Sequence, residues 1–226
     1  VSAAPLLEAR GLSFAHRGGG FLLEIERFEV TAGESVALVG PSGCGKTTLL
    51  ELLVGLRLPQ RGEIRFRGAA AAMGSDAARR RWRLESVGLV FQDLQLVESL
   101  DGLDNIVLAY LLEPRMGSLE EAKRRGADLA DRLGVGGLLR RRIGRTSRGE
   151  RQRLAVCRAL VSEPPLVVAD EPTASLDAAS AEIVVEALLG HAGRPGAALI
   201  MATHDREHLP RFARVAEMPS PRGTAP

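Results

Sequence analysis

The chain has 226 residues, 45% apolar and 26% charged, with a formal net charge of +2. That length and apolar share suit one large domain with a full core, and the near-neutral charge excludes a molecule that works as an electrostatic glove for nucleic acid. Cys44 and Cys157 lie far apart without metal-ligand spacing, which fits a reducing compartment.

Leu6 to Ala15 and Phe21 to Val30 alternate like strands, joined by a turn at HRGGG. ESVALVG, from Glu34 to Gly40, is a short apolar strand running into a glycine-rich turn, and KTTLLELLVGL then reads as a helix. RGEIRFRG is a further alternating strand. An alanine-rich loop follows from Ala69 to Asp76, then the basic run Arg79 to Arg83, then the strand-like VGLVFQ ending at Gln92. Leu100 to Val161 is mainly helical, with breaks near Pro114 and at Gly134, Gly136 and Gly137. PPLVVAD is a buried strand, Ala178 to Leu189 a helix, and GAALIMATHD a second buried strand. Strands alternating with helices predict an α/β fold with a mostly parallel sheet, and the central helical stretch predicts an inserted subdomain. The first ten residues lack a secretory layout, and no apolar run approaches the roughly 20 residues of a membrane span, so a soluble cytoplasmic chain is expected.

GPSGCGKT, from Gly40 to Thr47, fits G-x-x-x-x-G-K-[ST]. Its glycines let backbone N–H groups turn inward on phosphate oxygens, and the helix behind adds its positive end. Lys46 is then placed to reach the β- and γ-phosphates, and the Thr47 hydroxyl to hold Mg²⁺. Of the 30 basic residues all but Lys46 and Lys123 are arginine. A lysine here marks a place where a compact point charge fits and a planar fork does not.

LVVADEP ends a water-free strand on two adjacent acids, Asp170 and Glu171. Ligands of open α/β sheets bind beyond the carboxyl ends of strands, so Gly40 and Asp170 can share one crevice. Asp170 becomes an anchor for Mg²⁺, and Glu171 can orient or polarise the attacking water. The plainer reading is an acidic turn that caps the next helix.

These residues resemble the nucleotide-binding subunit of ATP-binding cassette (ABC) transporters, from about Leu6 to Met218. The resemblance implies a P-loop NTPase core with an N-terminal antiparallel β subdomain. It implies a single domain over 1–226: core at 1–92 and 162–218, a helical signature subdomain at 93–161, and a disordered tail at 219–226. Phe14 resembles the aromatic that stacks on adenine. Gly40, Pro41, Ser42, Gly43, Cys44, Gly45, Lys46, Thr47 and Thr48 form the phosphate loop, and Gln92 matches the glutamine that senses Mg²⁺ and the transport partner. Ser147 and Gly149 stand at the start of the signature helix, Asp177 lies in the loop across the dimer, and His204 is the switch histidine. Each weaker motif also has an ordinary reading: Phe14 as core, Gln92 as a loop amide, His204 as a structural histidine, Asp177 as an N-cap.

The family's scheme closes two cassettes head to tail around two ATP molecules. Ser147 and Gly149 then act on the ATP held by the other chain. The implied partners are a separate transmembrane permease, docked near Gln92 and DLQLVESL, and a second copy or a paralogous cassette. The chain is expected on the cytoplasmic side of the membrane, as a peripheral subunit, and nucleic acid is an unlikely partner. The wording around the signature looks most like the branch serving lipoprotein release, macrolide efflux and cell division. The basic clusters RRRWR and RRRIGR are most simply solvated faces, the alternative being contact with the partner or with anionic lipid headgroups.

Thr146-Ser147-Arg148-Gly149-Glu150 departs from the usual Leu-Ser-Gly-Gly, with Arg148 in place of a glycine. If that backbone sits at positive φ, the side chain costs about 1–2 kcal/mol, roughly tenfold in closure. An added positive charge near ATP opposes that cost, and the expectation is closure weakened or retuned, not abolished. The alternatives to a transport motor are a soluble cassette, such as one in iron–sulfur cluster assembly, and a weakly hydrolysing regulatory cassette.

Overall fold

In the computed structural model, which describes residues 4–16, 21–70 and 74–218, the chain runs β1 (Leu7–Ala15), β2 (Leu22–Val30), β3 (Ser35–Val39), α1 (Lys46–Leu53), β4 (Arg61–Phe66), β5 (Ala69–Ala70), α2 (Asp76–Ser86) and β6 (Val87–Val90). It continues α3 (Gly102–Ile106), α4 (Leu108–Leu112), α5 (Leu119–Arg132), α6 (Arg148–Leu160), β7 (Leu166–Asp170), α7 (Ala178–Ala192), β8 (Ala198–Ala202) and β9 (Arg214–Glu217). The expected turn at 17–20 and the expected tail at 219–226 lie outside the described residues.

The alternating N-terminal stretches pair antiparallel and recruit β4 and β5 into a four-stranded sheet, in the order β2-β1-β4-β5. The alanine-rich stretch is corrected in part: its first two residues pair with Phe66 and Arg65, and a helix opens at Asp76. The other sheet is wholly parallel, in the order β6-β7-β8-β3-β9. Parallel strands need crossover connections, so helices cover both faces and the strands read as apolar runs. All of β7 is buried because alternate side chains feed two cores. Val167 and Ala169 pack into the core with α6 and α7, while Leu166 and Val168 pack into the core with α1 and the antiparallel sheet.

β9 has no counterpart in the sequence reading. It pairs with β3 at the sheet edge, and its sequence RVAE is short, charged and only partly buried. Edge strands carry such charges to blunt further pairing, which also erases the apolar signal.

Five helices begin on side-chain caps: Ser75, Asp101, Ser118, Ser147 and Asp177 each accept a backbone N–H from three residues on. α1 begins instead on left-handed Gly45 with no side-chain cap, which leaves its first N–H groups available to a ligand. Among the described residues no helix is long and apolar enough to cross a membrane.

β6 and α6 approach most closely at Gly88. A Cβ added there meets the Ala159 carbonyl oxygen at 2.1 Å and Pro164 Cγ at 2.8 Å. Backbone cannot move aside as a side chain can. Gly88→Ala is therefore expected to destabilise the fold by about 1–3 kcal/mol or more, read as a lower midpoint in urea at unchanged slope.

Candidate active site

The carboxyl ends of β3, β7 and β8 surface together, as their register requires: Leu38 pairs with Ala202, and Ala202 with Asp170. An open cavity of about 350 Å³ lies there, lined by His16, Phe21, Ser42, Gly43, Gly45, Lys46, Thr47, Thr48, Gln92, Asp170 and Glu171. The phosphate loop, both acids and the glutamine thus share one wall. Gly40, Pro41 and Cys44 do not line the cavity; the Cys44 N–H donates to the Pro41 carbonyl at 3.3 Å, and Cys44 is buried. The turn needs its glycines: Gly43 and Gly45 have φ of 77° and 100°. A Cβ on Gly45 would strike Phe21 Cζ at 2.8 Å.

Lys46 Nζ donates to the carbonyl oxygens of Gly40 and Pro41, at 2.9 and 3.4 Å, so the cation arches over its own loop. Thr47 Oγ1 donates to Asp170 Oδ2 at 2.6 Å. Burial pushes the Asp170 carboxyl above its ordinary range and the Glu171 charge adds to this; the Thr47 hydrogen bond opposes both. A raised carboxyl makes the folded state hold its proton more tightly than the unfolded chain does. Its contribution to stability is therefore present at acid pH and lost as pH rises through the folded value. Asp170→Asn is accordingly expected to raise the melting temperature at pH 7, which calorimetry checks.

Glu171 follows directly and sits at φ +50°, in the left-handed region. Three backbone contacts hold it: its N–H donates to Ala202 O at 3.0 Å, and its carbonyl accepts from Ala174 N–H and from Gln152 Nε2, both at 3.3 Å. Its side chain is 14% exposed, and Oε2 lies 2.7 Å from His204 Nδ1. His204 itself is 70% exposed, beyond the end of β8. Thr203 Oγ1 accepts from the Asp205 N–H at 3.0 Å and shapes that turn.

Oxygen groups line the cavity: the Ser42, Thr47 and Thr48 hydroxyls, the Asp170 and Glu171 carboxylates and the Gln92 amide, with Thr47 and Asp170 in direct contact. Among the described residues no cluster of three or more His, Cys, Asp or Glu could hold a metal by itself. That set fits Mg²⁺, a hard ion that takes one or two protein oxygens, substrate phosphates and water rather than an all-protein cage.

Two expectations change on the structure. The ring of Phe14 packs against the core under the antiparallel sheet, with the Arg57 guanidinium 5.9 Å from its centroid, and it does not line the cavity. A register shift in the β1–β4 pairing between Arg10 and Ser13 alters the strand's alternation there. His16 and Phe21, with ring centroids 5.0 Å apart, stand on the wall instead. Arg148 is the first residue of α6 and is absent from the positive-φ backbone, so the strain cost foreseen for it does not arise. Ser147, Gly149 and Asp177 stand away from the cavity. Ser147 caps α6 in a capping box with Glu150, and Asp177 caps α7 through Ser180. A Cβ on Gly149 would meet Ser175 O at 3.2 Å, so the start of α6 rests on the loop leading to α7.

Sequence reasoning missed His16, Phe21 and Gln152. Gln152 is 2% exposed, and a buried amide two residues past Glu150 on an apolar helix face was its only signal.

The profile of the ABC transporter family matches residues 23–174. A lipoprotein-releasing system ATP-binding protein from Chromohalobacter salexigens is 37% identical over 203 residues, covering 88% of this chain and 85% of that one. Its counterpart from Alcanivorax borkumensis is 36% identical over 220 residues and covers 96% of each. An ATP-binding cassette solved as a post-hydrolysis dimer with ADP and Pi superposes with a TM-score of 0.86 at 25% identity, over 95% of this chain and 94% of that one. These likenesses favour the transport reading over cluster assembly and fit the lipoprotein-release branch. The crevice of phosphate loop and acids is therefore that of a nucleotide-driven motor: the chain belongs to the ABC transporter family, as an ATP-binding subunit that powers a membrane transporter.

Proposed function

We propose that two such chains close head to tail on two ATP molecules and reopen when ATP is cleaved. One observation carries this: Lys46, Thr47, Gln92, Asp170 and Glu171 line one cavity, whereas the start of α6 at Ser147 and Gly149, the end of a helix that suits an anion, lies outside it, exposed or half-buried. A site so divided is completed by another chain. ATP contacting both chains only in the closed pair gives the differential affinity that a conformational motor requires.

In this reading backbone N–H groups of the loop and Lys46 hold the β- and γ-phosphates, and His16 and Phe21 flank the nucleotide. Thr47, Asp170 and Gln92 would hold Mg²⁺, which when bound neutralises charge on the phosphate oxygens. Glu171 accepts a proton from the attacking water as the water oxygen bonds to the γ-phosphorus. The bond to the bridging oxygen breaks, and ADP leaves with it. His204 orients the Glu171 carboxylate. Arg148, exposed beside Ser147, adds positive charge where the other chain's ATP would lie.

A second hollow of about 150 Å³ adjoins the first, sharing Thr47, Gln92 and Asp170 and continuing along Leu50, Val54, Leu56 and Leu89. There the permease would dock, on the cytoplasmic face of the membrane. The names of the lipoprotein-release relatives suggest a lipid-anchored cargo. Ser147→Asp tests the divided site, because aspartate keeps the helix cap while setting a carboxylate against phosphate. With Glu171→Gln also present, ATP affinity of the single chain should hold and the ATP-dependent dimer should vanish in light scattering. A dimer of undiminished strength would refute the arrangement.

A further inference from the structure

α6 carries a cation that the chemistry above does not use. Arg158, near the helix's C-terminal end, donates from Nη1 to the Gln95 carbonyl and from Nη2 to the Leu94 carbonyl, both at 2.6 Å. Burial pulls its guanidinium down to about 10, and among the described residues no carboxylate lies at ion-pair distance from it. A half-buried charge without a counter-ion is costly, and its position is explained by what it holds.

What it holds is unusual backbone. Leu94 and Gln95 have φ of 56° and 48°, two successive non-glycine residues in the left-handed region. Such residues cost free energy and persist only where their surroundings over-determine them. Leu94 N–H donates to Phe91 O at 3.0 Å and Gln95 N–H to Asp93 O at 2.6 Å. The tight turn these bonds make begins one residue before Gln92 and ends three after it. The bidentate fork of Arg158 closes it from outside.

We propose that Arg158 is a positioning residue for Gln92: its guanidinium pins the strained turn that aims the Gln92 amide into the phosphate cavity. The consequence is mechanical. Ser147 and Arg158 lie about 17 Å apart along the α6 axis. Along it stand the cap that faces the second chain, Gln152 on the Glu171 carbonyl, and Arg158 on the glutamine turn. Seating of the second chain's ATP on one end of a rigid helix is thereby felt at both Glu171 and Gln92.

This rests on the proposed role of Gln92, so the test separates the two. Phosphate release and ATP affinity are measured for the wild type, Gln92→Ala, Arg158→Met and the double variant, with Arg158→Lys beside them. Arg158→Met should lower kcat about tenfold and raise the Mg²⁺ concentration for half-maximal rate, with ATP affinity within about twofold. The double variant should be no slower than Gln92→Ala, since both changes disable one element. Arg158→Lys, which keeps the charge and can reach one carbonyl, should recover part of the rate. If Arg158→Met does not fold, Arg158→Lys must still show a lowered kcat at unchanged ATP affinity. A normal kcat in either variant, additive losses in the double variant, or ATP affinity lost in step with rate would overturn the inference. If Gln92→Ala alone turns over normally, the fault lies with the role given to Gln92.

Discussion

Glu171→Gln is expected to leave ATP bound and to slow its cleavage sharply. The carboxylate and the amide are the same size, and the three backbone contacts that hold residue 171 do not involve its side chain. What changes is chemistry. An amide cannot accept the proton that water must lose, and general-base catalysis supplies about 10²–10⁴-fold. The phosphate loop is untouched, and the substitution removes a negative charge facing the triphosphate, so affinity should hold or rise. kcat should fall by that factor, and an ATP-dependent dimer should persist in size-exclusion chromatography. Turnover within twofold of the wild type would remove Glu171 from its assigned role.

Lys46→Ala acts at the opposite stage. Its ammonium sits over the loop on the Gly40 and Pro41 carbonyls, poised to exchange them for phosphate oxygens. Each hydrogen bond to a charged group contributes about 1.5–3 kcal/mol, so losing two should weaken ATP binding by roughly 10²-fold or more. Fold stability should barely move, because the side chain is only half-buried and packs no core. Lys46→Arg should fail nearly as badly, since a planar fork cannot replace a point charge in a turn this tight. Titration with a fluorescent ATP analogue reads all three proteins. Near-normal affinity for Lys46→Ala would contradict the placement of the phosphates.

The phosphate loop and the acid pair were legible because their chemistry is local: a glycine spacing, a lysine in an arginine-rich chain, two acids at the end of an apolar run. The parallel sheet followed from the same apolar strands. Less local features were hidden. Phe14 looked like the nucleotide's aromatic neighbour, but a register shift beside Gly11 sets its ring on the core and leaves the cavity wall to His16, beyond the strand end. β9 gave no signal because an edge strand carries charge where a central strand carries valine. The left-handed backbone at Leu94, Gln95 and Glu171 falls on residue types that disfavour it, so composition could not announce it. The Arg148 expectation turned on a backbone angle, and the Ser147 capping box keeps that residue helical.

In the proposed cycle triphosphate joins two copies and its cleavage parts them. The direct measurement is molar mass by light scattering on the purified chain with ATP and Mg²⁺, followed in time beside phosphate release. Mass should double on mixing and return to that of a single chain as phosphate appears, and in Glu171→Gln it should double and stay. A chain that releases phosphate at single-chain mass throughout, or that remains doubled after its ATP is spent, would contradict the mechanism.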